Sequence, residues 1–438
     1  MKVAVIGSGI AGLGAAYALR DQADITLFEA GSHFGGHTHT VDITLGGRTW
    51  GVDTGFLVYN ERTYPQLIAL FDELGVTTAA SDMSFSVKLD QPSLEWCGSN
   101  LNTVFAQRRN LLSPRFHRML RELLRFNRTA SSLAQADLNS TSFTVGEFLR
   151  YEGYSRDFID WYFLPMIGCI WSCPTQQMME FPLATMLRFC QNHGLLQVSG
   201  RPQWRTVVGG ARQYVERITA HLRDKRLNTP VRRVVRQGGR VLVSTDAGTE
   251  TFDHVVVATH SDQALALLGD PSSRERQLLG AIAYHPNRAV LHTDVSVLPR
   301  RRLAWASWNY EHSGPHQARQ VCLHYLLNRL QPLPFEQPVI VSLNPVREPD
   351  AAHVIREIHY AHPVFDRAAI AAQHDIGEIQ GIQNTWYCGA WCGYGFHEDG
   401  LKSGQRVAAQ LKRWLAAAGS TPPAVPAAAL PRDLSIAS

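Results

Sequence analysis

Residues 3–6, Val-Ala-Val-Ile, form an unbroken apolar run between Lys2 and Gly7, the pattern of a short strand buried on both faces. Small and apolar side chains fill nearly every position from Leu13 to Leu19, which predicts a helix with no solvated face. Asp24-Ile25-Thr26-Leu27-Phe28 predicts a second strand, ending at Glu29. Alternating stretches at 240–244 and 251–258, and apolar ones at 289–294 and 339–343, predict further strands. Residues 101–200 read as mostly helical. Within them Thr144 and Glu147 make a capping box, and 158–170 and 181–190 are rich in apolar and aromatic residues. Those two stretches predict core, or in part the lining of an apolar tunnel. After Ser113-Pro114, a favourable helix start, Phe116, Met119, Leu120, Leu123 and Leu124 recur at helical spacing. Residues 420–431, rich in Pro and Ala, predict a disordered tail.

The glycines punctuate this pattern at chemically informative places. Gly7-Ser8-Gly9-Ile10-Ala11-Gly12 falls between the first strand and the first helix. In a dinucleotide-binding turn the first glycine makes the turn. The second lets the backbone approach a pyrophosphate, and the third lets helix and strand pack closely. The helix start presents free N–H groups to the phosphates. Glu29 ends the second strand, where a carboxylate can bind a ribose diol and would repel a 2′-phosphate. Strand, turn, helix, second strand and acid in register predict dinucleotide binding, without separating FAD from NAD.

The residues after Glu29 separate them. Ala30-Gly31-Ser32-His33-Phe34-Gly35-Gly36-His37 resembles the acid, spacer and Gly-Gly-Arg of glutathione-reductase-2 type flavoproteins, with His37 at the arginine position. Asp53-Thr54-Gly55 resembles a segment found after the first hairpin in that class. Val231, in Thr229-Pro230-Val231, matches the position that contacts adenine through its backbone. Near the far end, Trp386-Tyr387-Cys388-Gly389 resembles the last strand, and residues 392–399 a loop before a helix opening at Gly400-Leu401. The resemblance spans residues 3 to about 417. It implies an α/β fold with FAD as cofactor: a discontinuous Rossmann-like FAD-binding domain (1–80, 205–275 and 366–417), a mixed helical and β-sheet substrate domain (81–204 and 276–365), and a tail (418–438). The implied cofactor residues are Gly7, Gly9, Ile10, Ala11, Gly12, Glu29, Ala30, Gly35, Gly36, His37, Thr54, Gly55, Val231, Gly389, Gly400 and Leu401.

The same class holds the flavin amine oxidases, which flank an amine with two aromatic rings. One ring lies three residues before the glycine of the last helix, and here that position is His397. Those oxidases also place a lysine on a substrate-domain strand, and Tyr284-His285-Pro286-Asn287 has none. His397 is instead a candidate base with Glu398 as orienting acid and Tyr394 beside them, because an unperturbed histidine titrates near neutrality. A merely hydrogen-bonding role for His397 is the plainer reading. In detail, residues 36–42, 201–206 and 394–400 resemble a bacterial family of NAD/FAD-binding, amine-oxidase-like proteins associated with cyclopropane, methyl and furan fatty acid synthesis. That resemblance implies dehydrogenation of a lipid or fatty acyl substrate. The alternatives are a flavin amine or amino-acid oxidase, and an FAD-binding partner of a lipid methyltransferase without redox turnover.

Composition narrows the partners. The 438 residues include 42 Lys and Arg against 38 Asp and Glu, a formal charge of +4 that excludes a globally cationic nucleic-acid binder. Arg108, Arg109, Arg115, Arg118, Arg121, Arg125 and Arg128 nevertheless share one stretch with a single acid, Glu122. A solvated basic helix face explains this; so does contact with an anionic membrane surface. Arg300-Arg301-Arg302 is a possible addition. The seven cysteines, including the pairs Cys169/Cys173 and Cys388/Cys392, lack a disulfide or zinc pattern, and no metal site is expected. A strand starting at about residue 2 leaves no room for a signal peptide, which predicts a cytoplasmic protein, peripheral on the inner membrane if the arginines face lipid.

Overall fold

A computed structural model describes residues 1–135, 143–171, 175–197, 200–312 and 321–418. The chain forms two compact units. The first comprises Met1–Gly36, Val215–Ala283 and Ala368–Ser438, and the second His37–Tyr214 and Tyr284–Arg367. The sequence boundaries differ from this division, because 37–80 and 205–214 pack with the second unit. Their hairpin, Thr40–Leu45 with Arg48–Asp53, is tied there by Asp53, which accepts from the Ala211 N–H (2.9 Å) and the Gln331 side chain (2.6 Å). The tail expected from 418 lies outside the described residues except for Ala418, the end of the last helix.

The first unit is built on a five-stranded parallel sheet in the order Asp224–Arg226, Asp24–Phe28, Lys2–Ile6, His254–Val257, Thr385–Tyr387. The strand Lys2–Ile6 is central, and Val3, Ala4 and Val5 have no exposed surface, as a doubly covered parallel strand requires. A three-stranded antiparallel sheet, Val231–Gln237, Arg240–Thr245 and Gly248–Phe252, completes it. The run 251–258 is therefore not one strand. It breaks at Asp253, which accepts from the Lys2 backbone N–H (2.7 Å) and pairs with Arg240.

A seven-stranded sheet organises the second unit, in the order Val354–Val364, Ala283–His292, Ile340–Leu343, Cys322–Leu326, Trp308–His312, Phe85–Leu89, Leu94–Cys97. Helices follow from 114 to 192, including Pro114–Gln135, Val145–Tyr151 with the expected Thr144/Glu147 capping box, and Leu183–Asn192. Phe158, Trp161, Phe163, Phe181 and Phe189 are buried in this helical part.

One face of the large sheet is polar although buried. His292 and His324 both bond the Ser342 hydroxyl (2.7 and 2.6 Å), and His324 reaches Glu311 (2.9 Å). Glu311 in turn pairs with Lys88 (2.9 Å) and Arg347 (3.1 Å). Lys88 also donates to the Val297 carbonyl (3.0 Å), and Glu95 accepts from the Arg300 backbone (2.9 Å). The sheet thus holds the covering segment 295–304 by hydrogen bonds rather than by apolar packing alone.

These partners hold the Glu311 carboxyl down at about 2 despite its burial. A folded-state value below the unfolded one stabilises the protein above about pH 4.5, and that contribution is lost as the pH falls through about 2. Urea titrations between pH 7 and 2.5 are expected to show this loss, on the order of 3 kcal/mol. Glu311→Gln should remove that slope and cost about 3–5 kcal/mol at pH 7 by leaving the buried Lys88 ammonium without its counter-charge.

Candidate functional site

In the first unit, the turn after strand Lys2–Ile6 divides its three glycines by role. Gly7 has φ +99°, a conformation that favours glycine, and a Cβ there would press on the Ala258 carbonyl oxygen at 2.9 Å. A Cβ on Gly12 would collide with the Gly7 carbonyl. A Cβ on Gly9 would meet nothing within 4 Å. Strand and helix thus fill the space around the outer glycines and leave it open in front of the middle one. Gly9 precedes helix Ile10–Leu19 and has no side chain to cap the first-turn N–H groups of Ile10 and Ala11. The first turn also carries the positive end of the helix dipole.

The remaining predicted residues of this unit gather round that turn. Gly35 donates to the Ser8 carbonyl (3.0 Å), and a Cβ on Gly36 would lie 3.2 Å from the Gly9 Cα. The Glu29 carboxylate accepts from the Ser8 N–H (3.0 Å) and hydroxyl (2.5 Å) through one oxygen and from the Gly31 N–H (2.8 Å) through the other. A carboxylate has about four acceptor positions, so one remains for a ribose hydroxyl. Backbone bonds from Asn228 to Gly31 and Thr229 to Glu29, both 2.9 Å, bring Val231 alongside; Ala30 between them is exposed. Gly389 is bonded to Ser403 (2.9 Å), a Cβ on Gly14 would lie 2.7 Å from Leu401 Cδ1, and one on Gly400 2.8 Å from Ile10 Cγ2. An open cradle, uncapped donors and an acid with spare acceptor capacity fit the diphosphate and ribose of FAD.

The last helix starts earlier than the sequence predicts, at His397 rather than Gly400. Asp399 explains this. Its carboxylate accepts from the Tyr394 and Phe396 N–H groups (3.1 and 3.0 Å) and closes the turn, and Glu398 and Asp399 suit the positive end of the helix. Tyr394, Phe396 and His397 are half-buried, and Glu398 is buried and pairs with Lys402 (3.4 Å). Burial pushes the His397 imidazole down to about 3 and the Asp399 carboxyl up to about 6. The near-neutral titration expected of His397 is thereby corrected. At pH 7 it is a neutral ring and a weak proton acceptor.

His37, Thr54 and Gly55 belong to the second unit. The Thr54 hydroxyl bonds the Tyr360 hydroxyl (2.8 Å), and the Tyr360 ring stacks on His37 with centroids 4.9 Å apart. A Cβ on Gly55 would collide with the His37 carbonyl. The His362 ring also meets His37 at 5.4 Å and bonds the Asn287 side chain at 2.8 Å. Tyr360 and His362, on strand Val354–Val364, and Asn287, on strand Ala283–His292, have no local sequence pattern that marks them as special. Glu311, Cys322 and His324 are the one grouping of metal-type ligand atoms among the described residues, all within 4.8 Å. Lys88 and Arg347 already neutralise Glu311 there, and no metal is assigned.

Comparison with known proteins agrees with this geometry. Residues 10–303 match the family model of flavin-containing amine oxidoreductases. No curated protein matches the chain by sequence. Solved structures with the same fold include a CLA-producing fatty acid isomerase from P. acnes, at 16% identity and a TM-score of 0.64 over 94% of this chain and 98% of that one. Cyclohexylamine oxidase from Brevibacterium oxydans aligns at 18% identity and TM-score 0.66, over 95% and 99%. Putrescine oxidase bound to putrescine aligns at 16% and 0.65, over 94% and 99%. The chain belongs to the flavin-containing amine oxidoreductase family and is an FAD-dependent oxidoreductase. No helix among the described residues is long and apolar enough to cross a membrane.

The cradle separates folding from binding. Gly9→Ala should leave thermal stability within about 0.5 kcal/mol of wild type yet purify with little FAD. Gly12→Ala should destabilise the fold by about 1–3 kcal/mol through overpacking. Absorbance of the purified variants together with thermal melts checks both.

Proposed function

We propose that the protein dehydrogenates a lipid acyl chain, with the glycine cradle of the first unit holding FAD. Bound FAD would supply the acceptor for a hydride from one substrate carbon, and the proton lost from the adjacent carbon would pass to water. The observation that carries the substrate class is the absence of an available charge in the candidate loop. His397 is neutral, Asp399 is engaged by two backbone N–H groups, and Glu398 is paired with Lys402. With the Tyr394 and Phe396 rings half-exposed beside them, the loop suits an uncharged chain better than an ammonium or carboxylate. Likeness in fold to a fatty acid isomerase is consistent with this reading.

In this reading Gly7, Gly9, Ile10, Ala11, Gly12, Gly35 and Gly36 hold the diphosphate, Glu29 the ribose and Val231 the adenine side. Gly389, Gly400 and Leu401 set the last helix. Tyr394 and His397 orient and shield the substrate, and Glu398 anchors the helix start. A second reading, an amine oxidase, is favoured by family membership and by the Tyr394 and Phe396 rings. The methyltransferase-partner reading has no observation in its favour.

Anaerobic mixing with a methyl-branched monounsaturated phospholipid is expected to bleach the flavin, while polyamines and amino acids do not. Bleaching by amines alone would reverse the two readings. His397→Gln should slow turnover about tenfold or more, the scale of a lost positioning contact, without changing the shape of the pH–rate profile between 6 and 8. Loss of a limb near 6.5, the ordinary histidine value, would instead make His397 a base.

A further inference from the structure

Two arginine-rich segments far apart in sequence meet on the second unit. Residues 98–121 carry five arginines and no carboxylate, and residues 295–304 carry three and none. The short helix Leu101–Val104 packs against the turn Arg302–Ala304, and Arg108 is bonded to the Asn102 side chain (2.7 Å). This places both segments on one surface. Arg108, Arg109, Arg121, Arg300 and Arg302 are exposed there.

The same surface exposes apolar side chains that a water-facing protein would normally cover. Leu112 is 89% and Leu101 79% exposed, and Leu111, Leu124 and Leu303 are exposed beside them. The nearby carboxylates are spoken for. Asp157 is buried beneath Arg115 and Arg118 (2.5 and 3.5 Å), Glu95 is buried beneath Arg301 (2.9 Å), and Glu122 bonds Ser155. Buried Phe116, Met119 and Phe126 fasten helix Pro114–Gln135 to the core, so its arginine face is held outward. Isolated leucines ringed by cations, with no free anion among the described residues of these segments, match the headgroup–acyl boundary of an anionic bilayer: the leucines enter the acyl region and the guanidinium groups meet phosphates.

We propose that this surface, built from 101–124 and 300–303, docks the protein on anionic membrane lipid. The inference deepens the acyl-chain reading by naming where the substrate would be met. Its test uses binding alone, so either can fail without the other.

Purified FAD-loaded protein is co-sedimented with vesicles of phosphatidylcholine, with and without phosphatidylglycerol. Binding is expected only with the anionic lipid and should weaken steeply between 50 and about 300 mM salt, as the screening length shortens. Arg109→Gln, Arg121→Gln and Arg300→Gln combined should lower the partition coefficient on the order of 100-fold, from roughly fivefold per charge. Leu101→Ser with Leu112→Ser should lower it about tenfold or more by removing buried apolar area. Unchanged melting and flavin absorbance show that both variants are folded. Equal binding to both vesicle types, or none, would overturn the proposal. So would self-association without vesicle binding that Leu112→Ser abolishes, since the surface would then receive a second copy of the chain.

Discussion

The glycine-rich end depends on how closely its first and last helices approach. Helix Ile10–Leu19 is buried at every position but Ala18. It meets helix His397–Ala418 where Gly14, Gly400 and Gly404 have no side chains, so that a Cβ on Gly404 would collide with the Ala11 carbonyl. Backbone contact at this distance fixes the direction of the first helix, and with it that of its first-turn N–H groups. It also joins the two ends of the chain, which explains why the cofactor motifs stand so far apart in sequence. Replacing Gly404 would move a helix, whereas a Cβ on Gly14 or Gly400 would first meet the Leu401 or Ile10 side chain.

Charge is distributed with the same economy. In the second unit ionic groups lie inside the sheet, where Lys88, Glu311, His324 and Ser342 are mutually satisfied and hold the segment above them. In the first unit, Arg236 and Glu275 form a buried pair at 2.9 Å, and Tyr387 donates to the same carboxylate at 2.5 Å. Asp53 receives bonds from Thr40, Ala211 and Gln331, yet burial still raises its carboxyl to about 6. The candidate loop differs: its histidine is neutral and its acids are engaged.

Much of the fold was legible in the sequence. The cradle was legible because each of its requirements, an open turn, a close helix and an acid after the second strand, leaves a residue type at a fixed spacing. The start of the last helix was not, because it depends on Asp399 folding back onto the Tyr394 and Phe396 backbone, a geometry no spacing records. The lowered titration of His397 has no local signature either, because burial by surrounding chain, not neighbouring sequence, decides it. Tyr360, His362 and Asn287 come together only when strands 283–292 and 354–364 pair, so their association with His37 and Thr54 had no local signature. The break at Asp253 was hidden because Phe252 and the apolar run 255–257 stand close enough in sequence to read as one strand.

The central claim is that a loop whose charged groups are already engaged, in the unit that carries the FAD cradle, selects an acyl chain for dehydrogenation. Its most direct test is a single anaerobic turnover with stoichiometric enzyme and an acyl lipid carrying deuterium on the reacting carbons, followed by mass spectrometry of the recovered lipid. The account predicts loss of two hydrogens from adjacent carbons, with one flavin reduced per double bond formed. Recovery of unchanged lipid from an enzyme whose flavin is reduced by an amine, with release of an aldehyde, would contradict it.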